Sequence, residues 1–181
     1  ANESSDGEWS LKSLFVSGQQ KNKKAYFKNT RFAAYKQWES TSKWYHPDNL
    51  MLQAALRVSY TSPKVMHWIT QLLIWLTRNA DSLDTEIPYY TDVINEIAKR
   101  PVRDFLDNKD YCLGVNTPHV VLNYLDFLLW KRNRNVDFDF EFRNSVEHWY
   151  PRNPSEGTFA RWEDGVDRFG NLCLIQRNIN S

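Results

Sequence analysis

Residues 145–151 read SVEHWYP: a carboxylate and an imidazole side by side at Glu147 and His148, an aromatic pair, and a proline closing the turn. About twenty residues later, Gly170-Asn171 opens an apolar run from Leu172 to Ile175, and Asn178 and Asn180 stand near the end of the chain. An imidazole titrates near neutral pH and can take a proton from water. Carboxylate and amide oxygens suit a hard cation such as Mg²⁺. Hydrolysis of a phosphodiester uses both, a nucleophile generated at neutral pH and positive charge on the phosphate and the leaving oxygen. The plainer alternative is that Glu147 and His148 are two polar residues at a strand end. A Glu-His dipeptide occurs often by chance, and Gly-Asn is an ordinary turn. The weight lies in their combination and order.

Helices are the elements expected to carry this stretch. One or two are predicted between Ser10 and Ser40, and a short one capped by Asp48 or Asn49 runs to Val58. The next has Ser62 as N-cap and Pro63 in its first turn, with Val65, Trp68, Ile69, Leu72, Leu73 and Leu76 at helical spacing on one face. Another, around Thr91 to Lys99, buries Val93, Ile94 and Ile97. Pro101 interrupts it before Val102 to Leu106 resumes. A further helix starts with Thr117 as cap and Pro118 as first residue, turns Val121, Tyr124, Leu125, Leu128 and Leu129 inward, and places Lys131 and Arg132 at the end of the helix dipole that favours cations. Near residue 135 the period changes to two. Val136, Phe138, Phe140 and Phe142 alternate with Asp137, Asp139, Glu141 and Arg143, which predicts a strand.

With 181 residues, eight Trp, nine Tyr and ten Phe, the chain can build a real core, so global disorder is excluded. The formal charge of +1 indicates no polyanionic partner by itself. Its distribution says more: Trp9 to Trp38 holds seven Lys or Arg and no acid. Lys21, Lys23 and Lys24, interleaved with Tyr26, Phe27 and Phe32, could track a phosphate backbone, although a solvated face is the commoner use of such a run. Cys112 and Cys173 form no C-x-x-C, so neither a zinc knuckle nor a disulfide framework is indicated, and a reducing, cytoplasmic setting is expected. The apolar run 68–76 is too short to span a bilayer. The chain opens on Ala and stops at NINS, so it is expected to be a piece of a longer protein.

E-H-x-x-P at 147–151, G-N-L-x-L-I at 170–175 and the terminal I-N-S together resemble a His-Asn-His (HNH) nuclease motif. More narrowly, they resemble the C-terminal nuclease domain of GmrSD-type modification-dependent (type IV) restriction endonucleases. The strong part of the resemblance covers residues 117–181, including the helix HVVLNYLDFLLWKR that leads toward the motif. It implies a ββα-metal (His-Me finger) unit gripping one divalent cation, Mg²⁺ or Mn²⁺. It implies His148 as general base, Glu147 as an acidic metal ligand, and Asn171 holding the His148 loop rigid. Asn180 would be the ligand on a closing helix, with Asn178 as fallback if the register slips. It also implies a bacterial defence protein cutting foreign DNA, with an upstream nucleotide-binding domain of the ParB-like type. Arg152 stands where a neutral polar residue is expected; it would contact a phosphate or pair with nearby acids.

Other residues read as structure. His46, His67 and His119 fit local structure, and the Trp and Tyr wealth at helical spacing is core rather than a base-stacking platform. Asp137, Asp139 and Glu141 fit a solvent-facing strand edge. The expected architecture is α+β, a helical bundle over 1–135 followed by an HNH-like ββα-metal motif over 136–181 that is cut short at its C-terminus. The expected activity is metal-dependent DNA endonuclease. The alternative is a catalytically inactive helical module that binds nucleic acid or a partner protein.

Overall fold

A computed structural model describes residues 11–18, 23–30, 47–79, 83–155, 157, 160–162 and 164–176. Among these lie two two-stranded antiparallel sheets and four α-helices, so the chain is α+β and mostly helical.

The first sheet is a hairpin of β1 (Leu11–Ser17) and β2 (Lys24–Thr30). Helices were expected here. The residues explain the difference: Phe15, Val16 and Tyr26 favour a pleated backbone, Gly18 adopts φ 99° at the end of β1, and Phe15 meets its cross-strand partner Tyr26 at 5.4 Å between rings. Lys23 and Lys24 are exposed, and Lys21 lies outside the described residues.

The helices are α1 (Pro47–Ser59), α2 (His67–Arg78), α3 (Leu83–Asp107) and α4 (His119–Arg132). Their core is continuous, and its largest fully buried side chains are Leu52, Leu56 and Val58 of α1, Ile94 of α3 and Phe127 of α4. Asp48 does not act as a simple cap. Its buried carboxylate accepts from Arg134 Nη2 at 2.6 Å and Lys131 Nζ at 2.9 Å, tying the start of α1 to the end of α4. Asn123 donates to Ser59 Oγ at 2.9 Å, and Tyr124 donates to Asn95 at 2.9 Å, so α4 is pinned to both α1 and α3.

Several expectations are corrected. Ser62 receives Lys64 N–H at 3.4 Å and Pro63–Val65 form a 3₁₀ turn, so α2 starts only at His67. On α2, Trp68 and Leu72 are buried while Ile69 and Leu73 are exposed. Pro101 does not interrupt α3, which runs 25 residues. A proline inside a helix costs about 3 kcal/mol, and burial of Ile94, Ala98 and Phe105 along one face offsets it. Thr117 does not cap α4; its hydroxyl turns back and donates to Gly114 O at 2.8 Å. Leu125, Leu128 and Leu129 are exposed, and Val120, Leu122, Phe127 and Trp130 are buried in their place. The α4 stripe is therefore rotated from the expected one.

Residues 137–144 form no strand. Their alternation is nonetheless real: Phe140 joins the helical core with Phe138 and Phe142 packed against it, while Asp137, Asp139 and Glu141 stay exposed. An extended segment lying on helix side chains keeps the period of two without a ladder partner.

The second sheet pairs β3 (Ser145–His148) with β4 (Leu172–Ile175). Val146 and Leu174 form a small cluster with Leu122 of α4, and Phe169 packs against both this cluster and the main core. Packing therefore continues across residue 135, where the helical and nuclease segments were expected to divide.

Candidate active site

Strand β3 ends at His148, and the described residues between it and β4 form loop and a 3₁₀ turn, Phe169–Asn171. Trp149 N–H donates to Asn171 O at 2.8 Å, extending the ladder by one residue. The Asn171 side chain then locks the loop. It is buried, its Oδ1 accepts from Tyr150 N–H at 2.7 Å, and its Nδ2 donates to Tyr150 O at 3.1 Å and to Val166 O at 2.8 Å. A primary amide has one acceptor and two donor hydrogens, and all three functions are engaged across the two ends of the loop. The residue expected to hold the His148 loop is thus bonded to the segment directly after His148.

His148 Nε2 lies 2.8 Å from Asp167 Oδ1, and the other oxygen of Asp167 accepts from Arg152 Nη2. The hydrogen bond with His148, and then the one with Arg152, hold the Asp167 carboxyl below the usual carboxylate range. At neutral pH it is therefore ionised and can only accept, which makes Nε2 the donor and, in the neutral ring, leaves the lone pair on Nδ1. A base oriented by an acceptor on its second nitrogen is the arrangement that fixes an imidazole tautomer. The pairing with an acid, one of the two roles open to Arg152 in the sequence, is present.

Glu147 is placed differently. Alternate residues of a strand face opposite ways, so Glu147 projects with Ser145, whose hydroxyl donates to its Oε1 at 2.5 Å, and with its cross-strand partner Cys173. Burial, and then the charges of Glu147 and Asp126, raise the Cys173 thiol above its ordinary pKa. His148 and Val146 occupy the other face. The structure thus brings His148 and Asn171 into one loop system and sets Glu147 on the far side of the hairpin. Asn178 and Asn180 lie outside the described residues, as does any closing helix that would carry them. Among the described residues no three His, Cys, Asp or Glu side chains gather to hold a metal ion, so those residues alone do not fit a cation cage.

Two residues escaped the sequence reading. Asp167 is one of several acids in an aperiodic loop, and only its position four residues before Asn171 could have drawn notice. Gly114 sits in the connection between α3 and α4, at φ 55°. Its N–H donates to Asp167 O at 3.1 Å, and a Cβ there would fall on Asp167 Oδ1 and come within 2.9 Å of its Cγ. Phe169 N–H donates to Tyr111 O at 2.7 Å nearby, and the Phe105 and Phe169 rings lie 5.2 Å apart. The acid that orients the imidazole thus rests on a glycine of the helical part.

Residues 100–181 match the family of GmrSD restriction endonucleases, C-terminal domain. This segment of the chain is similar to that family. The GmrSD match begins inside α3 and takes in α4, the extended segment and the whole hairpin, so every residue of the His148 site described above falls within it. Comparison with curated proteins and with solved structures finds no match. Among the described residues, no helix is long and apolar enough to cross a membrane.

Proposed function

We propose that the chain is the nuclease part of an HNH-type, metal-dependent restriction endonuclease that hydrolyses phosphodiester bonds of DNA, with His148 as general base. The observation that supports this best is the ordered His148–Asp167–Arg152 relay beside a loop clamped by Asn171. The Nδ1 lone pair takes a proton from water as the water oxygen attacks phosphorus, the bond from phosphorus to one sugar oxygen breaks, and that leaving oxygen takes a proton from solvent. The Asp167 carboxylate steadies the imidazolium that forms, and Arg152 keeps that carboxylate ionised. Asn171 fixes Tyr150 and thereby the direction in which the strand end presents the ring.

The family resemblance implies a divalent cation, Mg²⁺ or Mn²⁺, with Glu147 and Asn180 as ligands, which would supply charge stabilisation at the phosphate, although β3 turns Glu147 to the face opposite His148. The described geometry carries no step through it, and its assignment is tested separately. Lys23, Lys24 and the further Lys21 are proposed as backbone contacts to DNA. Setting the protein in a bacterial defence system, behind a ParB-like nucleotide-binding domain and in the cytoplasm, is part of the same proposal.

The test is incubation with plasmid DNA and Mg²⁺ or Mn²⁺, with and without chelator, beside His148→Ala. The expected result is metal-dependent nicking that falls on the order of 10²–10⁴-fold in His148→Ala. Nicking that survives the substitution removes the base assignment, and chelator-resistant cleavage removes the cation. No cleavage of any DNA, modified or not, favours an inactive binding module. Cleavage confined to RNA changes the substrate but keeps the site.

A further inference from the structure

Directly after His148 the loop opens a cavity of about 700 Å³, within the range of pockets that enclose small ligands. Its walls are aromatic. Tyr150 and Trp162 stack with ring centroids 4.3 Å apart and planes 10° from parallel, and Trp149 beside them is 84% exposed. Asn171 and Gly170 line it on the side of the hairpin, while Arg161 and Arg168 bring two exposed guanidinium groups to the same lining.

Such a composition does not serve the core. Both tryptophans are exposed, at 84% and 44%; Trp162 has one face on Tyr150, and Trp149 stands in water beside the cavity. The combination of flat π-faces with guanidinium groups is that of single-strand nucleic-acid sites, where bases stack on aromatic rings and Arg meets phosphate. The position matters as much. The cavity begins one residue after His148, and its Asn171 and Tyr150 are the pair that fixes the loop. A base held here would keep its own phosphodiester near the strand end that carries the imidazole.

We propose that this cavity takes one unstacked nucleobase of the nucleic-acid substrate, held against the Trp149 and Trp162 rings with the neighbouring phosphates on Arg161 and Arg168. Asp164, also in the lining, adds a carboxylate that accepts hydrogen bonds, so a base with an exocyclic amino group is favoured over thymine, which has none. The inference rests on the nuclease reading for its substrate class, and it assigns a task to loop aromatics that lie outside any helical period.

The test separates binding from cleavage by using the whole chain with His148→Ala. The probes are two DNA duplexes of one sequence, one fully paired and one with a single unpaired 2-aminopurine. The unpaired duplex is expected to bind at least tenfold more tightly, with its 2-aminopurine emission quenched on an indole. Trp149→Ala and Trp162→Ala are each expected to remove most of that preference. Trp149 is so exposed that its replacement leaves the fold intact, which circular dichroism verifies. Equal affinity for the two duplexes, or a preference and quenching that survive both substitutions, overturns the inference. Either result leaves the cleavage assay on unsubstituted protein free to succeed or fail independently.

Discussion

In α1–α4 the arrangement is fixed by many apolar side chains that share the same job. Leu52, Leu56, Val58, Ile94 and Phe127 are each almost wholly buried, and losing part of any one leaves the others in contact. Between β3 and β4 the opposite holds. Among the described apolar residues there, only Val146 and Leu174 are buried, and the long loop takes its shape from individual polar atoms, above all the three hydrogen bonds of the Asn171 amide. Burial is proportional to area and indifferent to direction, whereas a hydrogen bond is directional and lost when one partner goes. The helical part should therefore respond to volume and the loop to single atoms.

The largest effect that would sharpen this contrast is expected of Phe127→Ala. Emptying that site should destabilise the protein by about 3–5 kcal/mol, read as a lower urea midpoint, while the cleavage rate per folded molecule is kept. Asn171→Ala comes next. Leaving Tyr150 N–H and Val166 C=O without their partner should cost about 1–3 kcal/mol, confined to the loop. Amide exchange over residues 149–168 should accelerate and cleavage should fall at least about tenfold, with the urea midpoint shifting less than in Phe127→Ala. A shift as large as that of the core variant would erase the distinction drawn here.

The smallest effect is one of pH. The Asp167 carboxyl is held below its ordinary range by His148 and Arg152, so its contribution is complete above the usual carboxylate value, about pH 4. It is lost only as pH falls below that value through the folded-state pKa. On acidification, fluorescence from Trp149 and Trp162 should change below about pH 4, ahead of the far-ultraviolet signal of the helices. Asp167→Asn should abolish that early step. A step that persists in the variant would place the sensitivity elsewhere.

The same contrast explains what could be read from the residues. The 3.6 period located α2, α3 and α4, because apolar spacing is what burial selects. It misjudged which Leu of α4 faced inward, since nearly every position there is apolar and only the neighbours decide. Alternation over 137–142 was real in its side chains yet misleading about the ladder, because the surface beneath is helical. His148 at a strand end and Asn171 near it were legible as a spaced motif. Asp167 was not, for a loop acid carries no period, and neither was Gly114, which contributes only by lacking a side chain.

That bare position gives the site a floor borrowed from another part of the chain. A fragment starting at residue 136 would carry the imidazole, the acid and the clamp, but nothing for the acid to lean on. Transplanted to a foreign scaffold, such a cartridge should wobble, and the smallest transferable unit begins no later than the turn ahead of α4.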